Sequence, residues 1–197
     1  MKTFYSKILI LVLSLIIFSC STNDDDGTNS DLPEITSEGA YTFGCKINGQ
    51  VFLPKNDQGC LNCGSPNPLR LGYSQDREND EYHLSVIARN DINGDASINL
   101  DLYLDEPLEE RVYDLSESYI PSIDRTWPNA SSSIYREISG ETINSYFKTT
   151  SEVTGTLEII EINESERFIA GIFQFQAINE EGKVLNFTDG RFDIRIY

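Results

Sequence analysis

Apolar side chains at every second position are the feature that most limits how this chain of 197 residues can fold. A period of two places successive side chains on opposite faces of a β-strand, whereas an amphipathic helix needs a period of about 3.6. The alternation is clearest in residues 41–47, 82–104 and 154–178. These runs predict one all-β domain over residues 39–197, an antiparallel β-sandwich or alternatively a β-barrel, with about nine or ten strands.

One hairpin near the start of this domain has a predictable register. The pair Asn48-Gly49 separates two alternating runs. Such a pair favours a type I′ turn, because both central positions of that turn require a positive φ. A loop of two residues then pairs Cys45 with Phe52, and both side chains should point to the inner face of the sheet.

Further strands are predicted with unequal clarity. Residues 82–89 and 96–104 form a second hairpin in which each strand has one apolar face, as in an antiparallel sheet buried on one side. Near the C-terminus, Asp189-Gly190 predicts a turn between two short strands. The stretch 106–146 contains three prolines among short apolar fragments, and it predicts long loops with some strands.

The N-terminus is typical of a secretory signal. Lys2 and Lys7 flank the start of an apolar run, residues 8–18, which is shorter than the ~20 residues of a transmembrane helix. The sequence Ile17-Phe18-Ser19-Cys20 follows and resembles a lipobox. This resemblance implies a signal peptide over residues 1–19, cleavage before Cys20, and a lipid on the sulfur of that residue.

Residues 20–38 are predicted to be a flexible, acidic tether behind the lipidated cysteine. They contain few apolar residues, so they cannot bury enough surface to become ordered. The stretch 21–26 resembles the export signal of Bacteroidetes surface lipoproteins, which implies an outer-membrane location in the outer leaflet, at the cell surface. A plain solvated linker is the alternative interpretation of the same residues.

Three segments of the folded part carry a second resemblance. They are residues 42–52 (TFGCKINGQVF), residues 154–159 (TGTLEI), and residues 169–175 together with 188–193 (TDGRFD). With the lipoprotein signal, they resemble a family of uncharacterised Bacteroidetes lipoproteins. The resemblance implies a cell-envelope location and a β fold, and it implies no activity.

The strong negative charge excludes one class of partner. The chain has 32 acidic and 15 basic residues, a formal net charge of −17. Such a field repels phosphate backbones, so we expect no nucleic-acid binding. The expected partners are the membrane, through the N-terminal lipid, and a protein or glycan at the cell surface.

The remaining cysteines are expected to be structural. Export to an oxidising compartment permits one disulfide, between Cys60 and Cys63 or between one of them and Cys45. A redox role for the C-x-x-C motif is disfavoured because no helix is predicted after it. Zinc ligation by these cysteines with His83 lacks motif spacing, and residues 91–97 lack the spacing of a calcium loop, so we predict neither a metal nor a cofactor.

Loop aromatics are the candidate ligand contacts. Trp127 is the sole tryptophan and lies in a polar stretch, with Tyr119 and Tyr135 as candidate neighbours. Such rings stack on sugars or cap the end of a core. The only histidine, His83, lies in the middle of a strand on a predicted outward face, and no nucleophile motif accompanies it.

These observations predict a non-catalytic, lipid-anchored module that binds a ligand or a partner protein at the cell surface. Two alternatives remain open. A carbohydrate-active enzyme would need a cleft with two carboxylates about 5–10 Å apart. A lipocalin-like carrier would need a wide apolar interior for its ligand.

Overall fold

The computed structural model describes residues 32–55, 67–91, 96–138 and 141–196, with the backbone alone for 135–138 and 141–143. The predicted signal peptide, Cys20, the first part of the tether, the C-x-x-C motif and the centre of the 90–95 turn lie outside these residues. None of the described residues belongs to a helix with the length and hydrophobicity that crossing a bilayer requires.

The described part of the chain is almost entirely β-structure, with thirteen strands and one 3-10 turn, Pro121–Ile123. The strands are β1 (Thr42–Ile47), β2 (Gln50–Phe52), β3 (Leu69–Asp76), β4 (Glu81–Asn90), β5 (Ala96–Leu104), β6 (Val112–Leu115), β7 (Glu117–Ile120), β8 (Arg125–Pro128), β9 (Ala130–Ile138), β10 (Glu141–Lys148), β11 (Gly155–Asn163), β12 (Phe168–Ile178) and β13 (Val184–Arg195).

Eleven of these strands form two antiparallel halves that face each other. One half has the order β2-β1-β13-β12-β11-β6, and the other has the order β3-β4-β5-β9-β10. The halves are joined at one corner, where Lys148 of β10 pairs with Ile178 of β12. Strands β7 and β8 form a separate hairpin. The sheets do not close into a barrel, so the predicted β-sandwich is confirmed.

One hydrophobic core lies between the two halves. The predicted inward faces of the second hairpin are confirmed, because alternate side chains of β4 and β5 are buried there. Aromatic side chains of the opposite half complete the core, and the rings of Phe175 and Phe187 stack with centroids 4.1 Å apart. Each fully buried side chain of this size contributes about 1.5–3 kcal/mol. The buried residues include Leu84, Val86, Ala88, Ile98, Leu100, Leu102, Phe173, Phe175, Phe187 and Phe192.

The first hairpin has the predicted register. Asn48 and Gly49 have φ angles of 49° and 81°, as a turn with two positive φ values requires. Cys45 pairs with Phe52, and both side chains are buried in the core. The turn sequence Asn48-Gly49 was therefore sufficient to predict how β1 pairs with β2.

The predicted turn at Asp189-Gly190 was wrong, because β13 is continuous through it. Asp189 has a φ of 52°, which here produces a bulge. Strand β12 pairs Phe173 with Gly190 and Phe175 with Phe187, so three steps along β13 match two steps along β12. The same left-handed conformation serves turns and bulges, and pairing with distant strands decides between them.

The predicted strand count of about nine or ten was too low. The stretch 106–146, where we expected long loops with some strands, contains β6 to β9 and most of β10. Strand β9 shows why the pattern failed. Its start, Ala130 to Ser133, consists of small residues, and Ser131 and Ser132 are buried without any apolar alternation.

We predict that Gly190→Ala destabilises the domain by about 1–3 kcal/mol, as overpacking of a filled core does. A Cβ atom at this position would lie 2.5 Å from ring carbons of Phe173, which is itself buried in the core. Urea-induced unfolding of the variant and the unaltered chain measures the difference. Gly72→Ala is the matched control, because a Cβ there meets no atom within 4 Å. Equal stability of both variants would contradict the predicted overpacking at Gly190.

Candidate functional site

The first described residues form an N-terminal strap, residues 32–40, on the outer face of the β1–β13 half. Leu32 is buried, and a Cβ atom on Gly44 of β1 would lie 2.7 Å from Cδ of Pro33. The strap therefore packs directly on the strand. The compact unit begins at Leu32, so the end of the segment that we assigned to the tether lies against the domain.

The carboxylate of Asp193 fixes the strap. This side chain on β13 is 1% exposed. Its Oδ2 accepts hydrogen bonds from Thr36 Oγ1 at 2.8 Å, Glu38 N at 2.9 Å and Ala40 N at 3.1 Å, and its Oδ1 accepts one from Gly39 N at 2.8 Å. Burial acts to raise the pKa of Asp193, but these hydrogen bonds outweigh it and hold the pKa below its usual value.

We predict that Asp193→Asn destabilises the domain by about 2–4 kcal/mol at pH 7, because several charge-assisted hydrogen bonds are lost. A lowered pKa in the folded state means that the carboxylate stabilises the fold above its unfolded pKa of about 4. That stabilisation is lost as the pH falls through the lowered folded pKa. The gap between the two proteins should therefore shrink in acid.

Urea-induced unfolding between pH 7 and pH 2 measures this gap, and amide hydrogen exchange at Glu38 and Ala40 reports release of the strap. The control is Asp105→Asn, which removes one exposed carboxylate from the same protein. A gap that stays constant with pH, or an equal effect of the control, would contradict the role of Asp193.

A groove of about 350 Å³ lies beside the strap on the same outer face. Ile172 of β12 lies in its lining, with Ile35 of the strap and Val112 of β6 as exposed apolar walls. Ile35 is 58% exposed and Val112 is 54% exposed. The lining also includes Phe173, Gly190 and polar side chains from three strands: Thr156, Glu158, Gln174, Asp189 and Arg191.

Strand register aligns four of these residues in one row. Val112 of β6 pairs with Glu158 of β11, Glu158 pairs with Ile172, and Ile172 pairs with Arg191 of β13. Adjacent strands lie about 4.8 Å apart, so the backbones that carry Glu158 and Arg191 are separated by roughly 10 Å. An acidic and a basic residue therefore flank the apolar side chain of Ile172.

Arg191 is held in place by backbone carbonyls. Its Nε donates to the carbonyl of Asp189 at 3.1 Å, and its Nη1 donates to the carbonyl of Pro33 in the strap at 3.1 Å. The carboxylate of Asp189 pairs with Lys46 at 3.0 Å instead. Among the described residues, Arg191 forms no ion pair, so its charge and its remaining N–H groups are available to a ligand.

The candidate aromatic contacts do not lie in this groove. Trp127 pairs with Ser118 and Tyr119 pairs with Thr126 in the β7–β8 hairpin. Neighbouring positions on a strand point to opposite faces, so Trp127 and Tyr119 do not share one. Tyr119 is 60% exposed, whereas Trp127 is half-buried. Tyr135 lies in β9, and its side chain is outside the described residues.

Cys45 is a free thiol in the core, and burial raises its pKa to about 12. At neutral pH it is protonated and therefore a poor nucleophile or metal ligand. Cys60 and Cys63 lie outside the described residues, and their disulfide stays a prediction.

His83 lies on the outer face of the other half of the sandwich. It stacks on Tyr103 with ring centroids 4.2 Å apart, and its Nε2 lies 3.3 Å from Asp101 Oδ1. Cys45 and His83 therefore point to the core and to solvent, respectively, so one zinc ion cannot bind both. The described residues contain no cluster of three or more histidine, cysteine, aspartate or glutamate side chains that could hold a metal ion.

Comparison with known proteins identifies the family. Residues 78–194, more than half of the chain, match a Domain of unknown function (DUF6252). The chain belongs to the DUF6252 family. All groove residues except Ile35 lie within the segment that the family covers, whereas the strap precedes it. No curated protein and no solved structure matches the chain.

Sequence reasoning missed the groove, because its residues form no recognisable motif. Gly171, Phe173 and Phe175 occupy alternate positions of β12 and are buried. The alternate face therefore carries Ile172 beside the exposed Gln174. A single apolar residue beside polar ones is ordinary on a protein surface, so Ile172 gave no indication of the groove.

Proposed function

We propose that this protein is a non-catalytic binding module, anchored at the cell surface by a lipid on Cys20. The observation that carries the proposal is the groove between the strap and the outer face of β6, β11, β12 and β13. Its volume of about 350 Å³ suits a small ligand, since pockets for small molecules range over about 300–1,000 Å³.

The lining has the composition of a binding site. Exposed apolar side chains such as Ile35 and Val112 contribute by leaving water on binding. The guanidinium of Arg191, fixed by two carbonyls, would orient a polar ligand group with little loss of side-chain entropy. Most of the groove is formed by paired strands, which supports a preformed site.

One observation favours the enzyme alternative, because Glu158 and Asp189 both line the groove. Glycoside hydrolysis needs one carboxylic acid kept protonated by burial or by a second nearby carboxylate. Both side chains are exposed, and Asp189 pairs with Lys46 at 3.0 Å. Neither side chain has the buried setting that the acid of a glycosidase requires, and this favours binding over catalysis.

The carrier alternative has less support. A lipocalin-like protein needs space inside for an apolar ligand. In the described residues, the side chains of Leu100, Phe173 and Phe175 are buried in the shared core. The outer face therefore offers a better place for a ligand than the interior does.

We predict that Cys20→Ala abolishes incorporation of labelled fatty acid and releases the protein from the membrane fraction, because the acyl chains attach to that sulfur. A double variant, Cys60→Ala with Cys63→Ala, removes two other thiols and should keep the label. Protease treatment of intact cells tests exposure at the surface. Continued labelling of Cys20→Ala, or full protection from protease, would overturn this part of the proposal.

We also predict that the full chain releases no product from a panel of glycoside substrates, because both groove carboxylates are exposed and Asp189 is paired with Lys46. Product release is measured at saturating substrate for the unaltered chain, Glu158→Gln and Asp189→Asn. Turnover that disappears in either variant would establish the enzyme alternative and refute a non-catalytic module.

A further inference from the structure

We infer that the groove binds a peptide of two or three residues with both ends free, its ammonium group against Glu158 and its carboxylate against Arg191. The inference rests on the proposed function, because it names the ligand of the same groove. It depends on the charges, spacing and apolar surface of a single cross-strand row.

The spacing of the two charges sets the length of the ligand. Glu158 and Arg191 lie on strands that are two steps apart, a backbone separation of roughly 10 Å. An extended chain advances about 3.3–3.6 Å per residue. Two or three residues therefore bring both termini to the charged side chains, whereas a longer extended peptide would carry one terminus past its partner.

The state of Arg191 favours a carboxylate. The half-buried guanidinium contacts two carbonyl oxygens and, among the described residues, has no anionic partner. Guanidinium groups bind carboxylates through paired hydrogen bonds of fixed geometry. The bonds to Asp189 and Pro33 fix the orientation of the side chain before a ligand arrives.

The overall charge of the protein favours a ligand that carries a positive group in addition to its carboxylate. A net charge of −17 repels a simple anion at long range. A peptide with free ends is neutral overall, so it avoids this repulsion, and its ammonium group offers Glu158 a partner. Glu158 is exposed and forms no ion pair with another described residue.

The apolar part of the row suits the middle of such a ligand. Ile172 lies between the two charged residues, and Val112 and Ile35 add exposed apolar surface at the sides. A carbohydrate would find no aromatic platform among the described residues of the groove, where Phe173 is the only aromatic residue and is buried in the core. Small aliphatic side chains are therefore the preferred ones.

Titration calorimetry of the full chain in detergent tests the inference with the tripeptide Val-Ala-Val. Two matched probes carry an N-terminal acetyl group or a C-terminal amide. We expect the free peptide to bind, and we expect each blocking group to weaken binding by about 10- to 100-fold, the cost of losing one charged hydrogen-bonding partner.

Variants assign each terminus to its residue. Glu158→Gln should weaken binding of the free peptide and remove the penalty for acetylation, but it should keep the penalty for the amide. Arg191→Gln should also weaken binding of the free peptide, but it should remove the penalty for the amide and keep the penalty for acetylation. Because Arg191 also contacts the strap, thermal unfolding of the Arg191→Gln variant is measured first. If that variant does not fold, the test relies on Glu158→Gln. Glu180→Gln, outside the groove, is the charge-matched control.

Absence of binding at millimolar peptide, equal binding of free and amidated peptides, or equal loss in Glu180→Gln would each overturn the inference. These failures are distinguishable from failure of the proposed function. Lipid labelling at Cys20 and the absence of glycoside turnover do not depend on the peptide. Binding of the acetylated peptide alone would identify an anionic ligand instead and would also overturn the inference.

Discussion

The pairing of strand β12 determines how the two layers of this sandwich meet. One of its edges pairs with β13 along most of its length. Its other edge pairs first with β11 and then, at Ile178, with Lys148 of β10. Because one edge has two partners, the sheet divides at this point into two halves. Their apolar faces can then be buried only against each other, which produces one shared core.

Local chemistry made some of this fold predictable. The positive φ values required at Asn48 and Gly49 fixed the pairing of Cys45 with Phe52. The turn and this pairing depend only on residues that are neighbours in the chain. The small residues at the start of β9 carry no comparable signal. The groove was even less predictable from the sequence, because it depends on contacts such as the one from Glu38 to Asp193, which are 155 positions apart in the chain.

Strand β13 connects the stability of the strap with the shape of the groove. Arg191 binds the strap at Pro33, and Asp193, two residues further along, binds it from Thr36 to Ala40. Ile35 lies between these attachment points and forms one wall of the groove. A condition that releases the strap would therefore also remove one wall of the groove.

The hydrogen bonds that hold the strap limit its sequence very little. Three of the four groups that donate to Asp193 are backbone N–H groups, which every residue except proline supplies. Gly39 is the exception, because its φ of 73° disfavours residues with a side chain. The attachment residues Arg191 and Asp193 lie inside the segment that the family covers, and the strap lies outside it. In this chain, the segment that the family covers therefore holds the strap mainly through the strap's backbone.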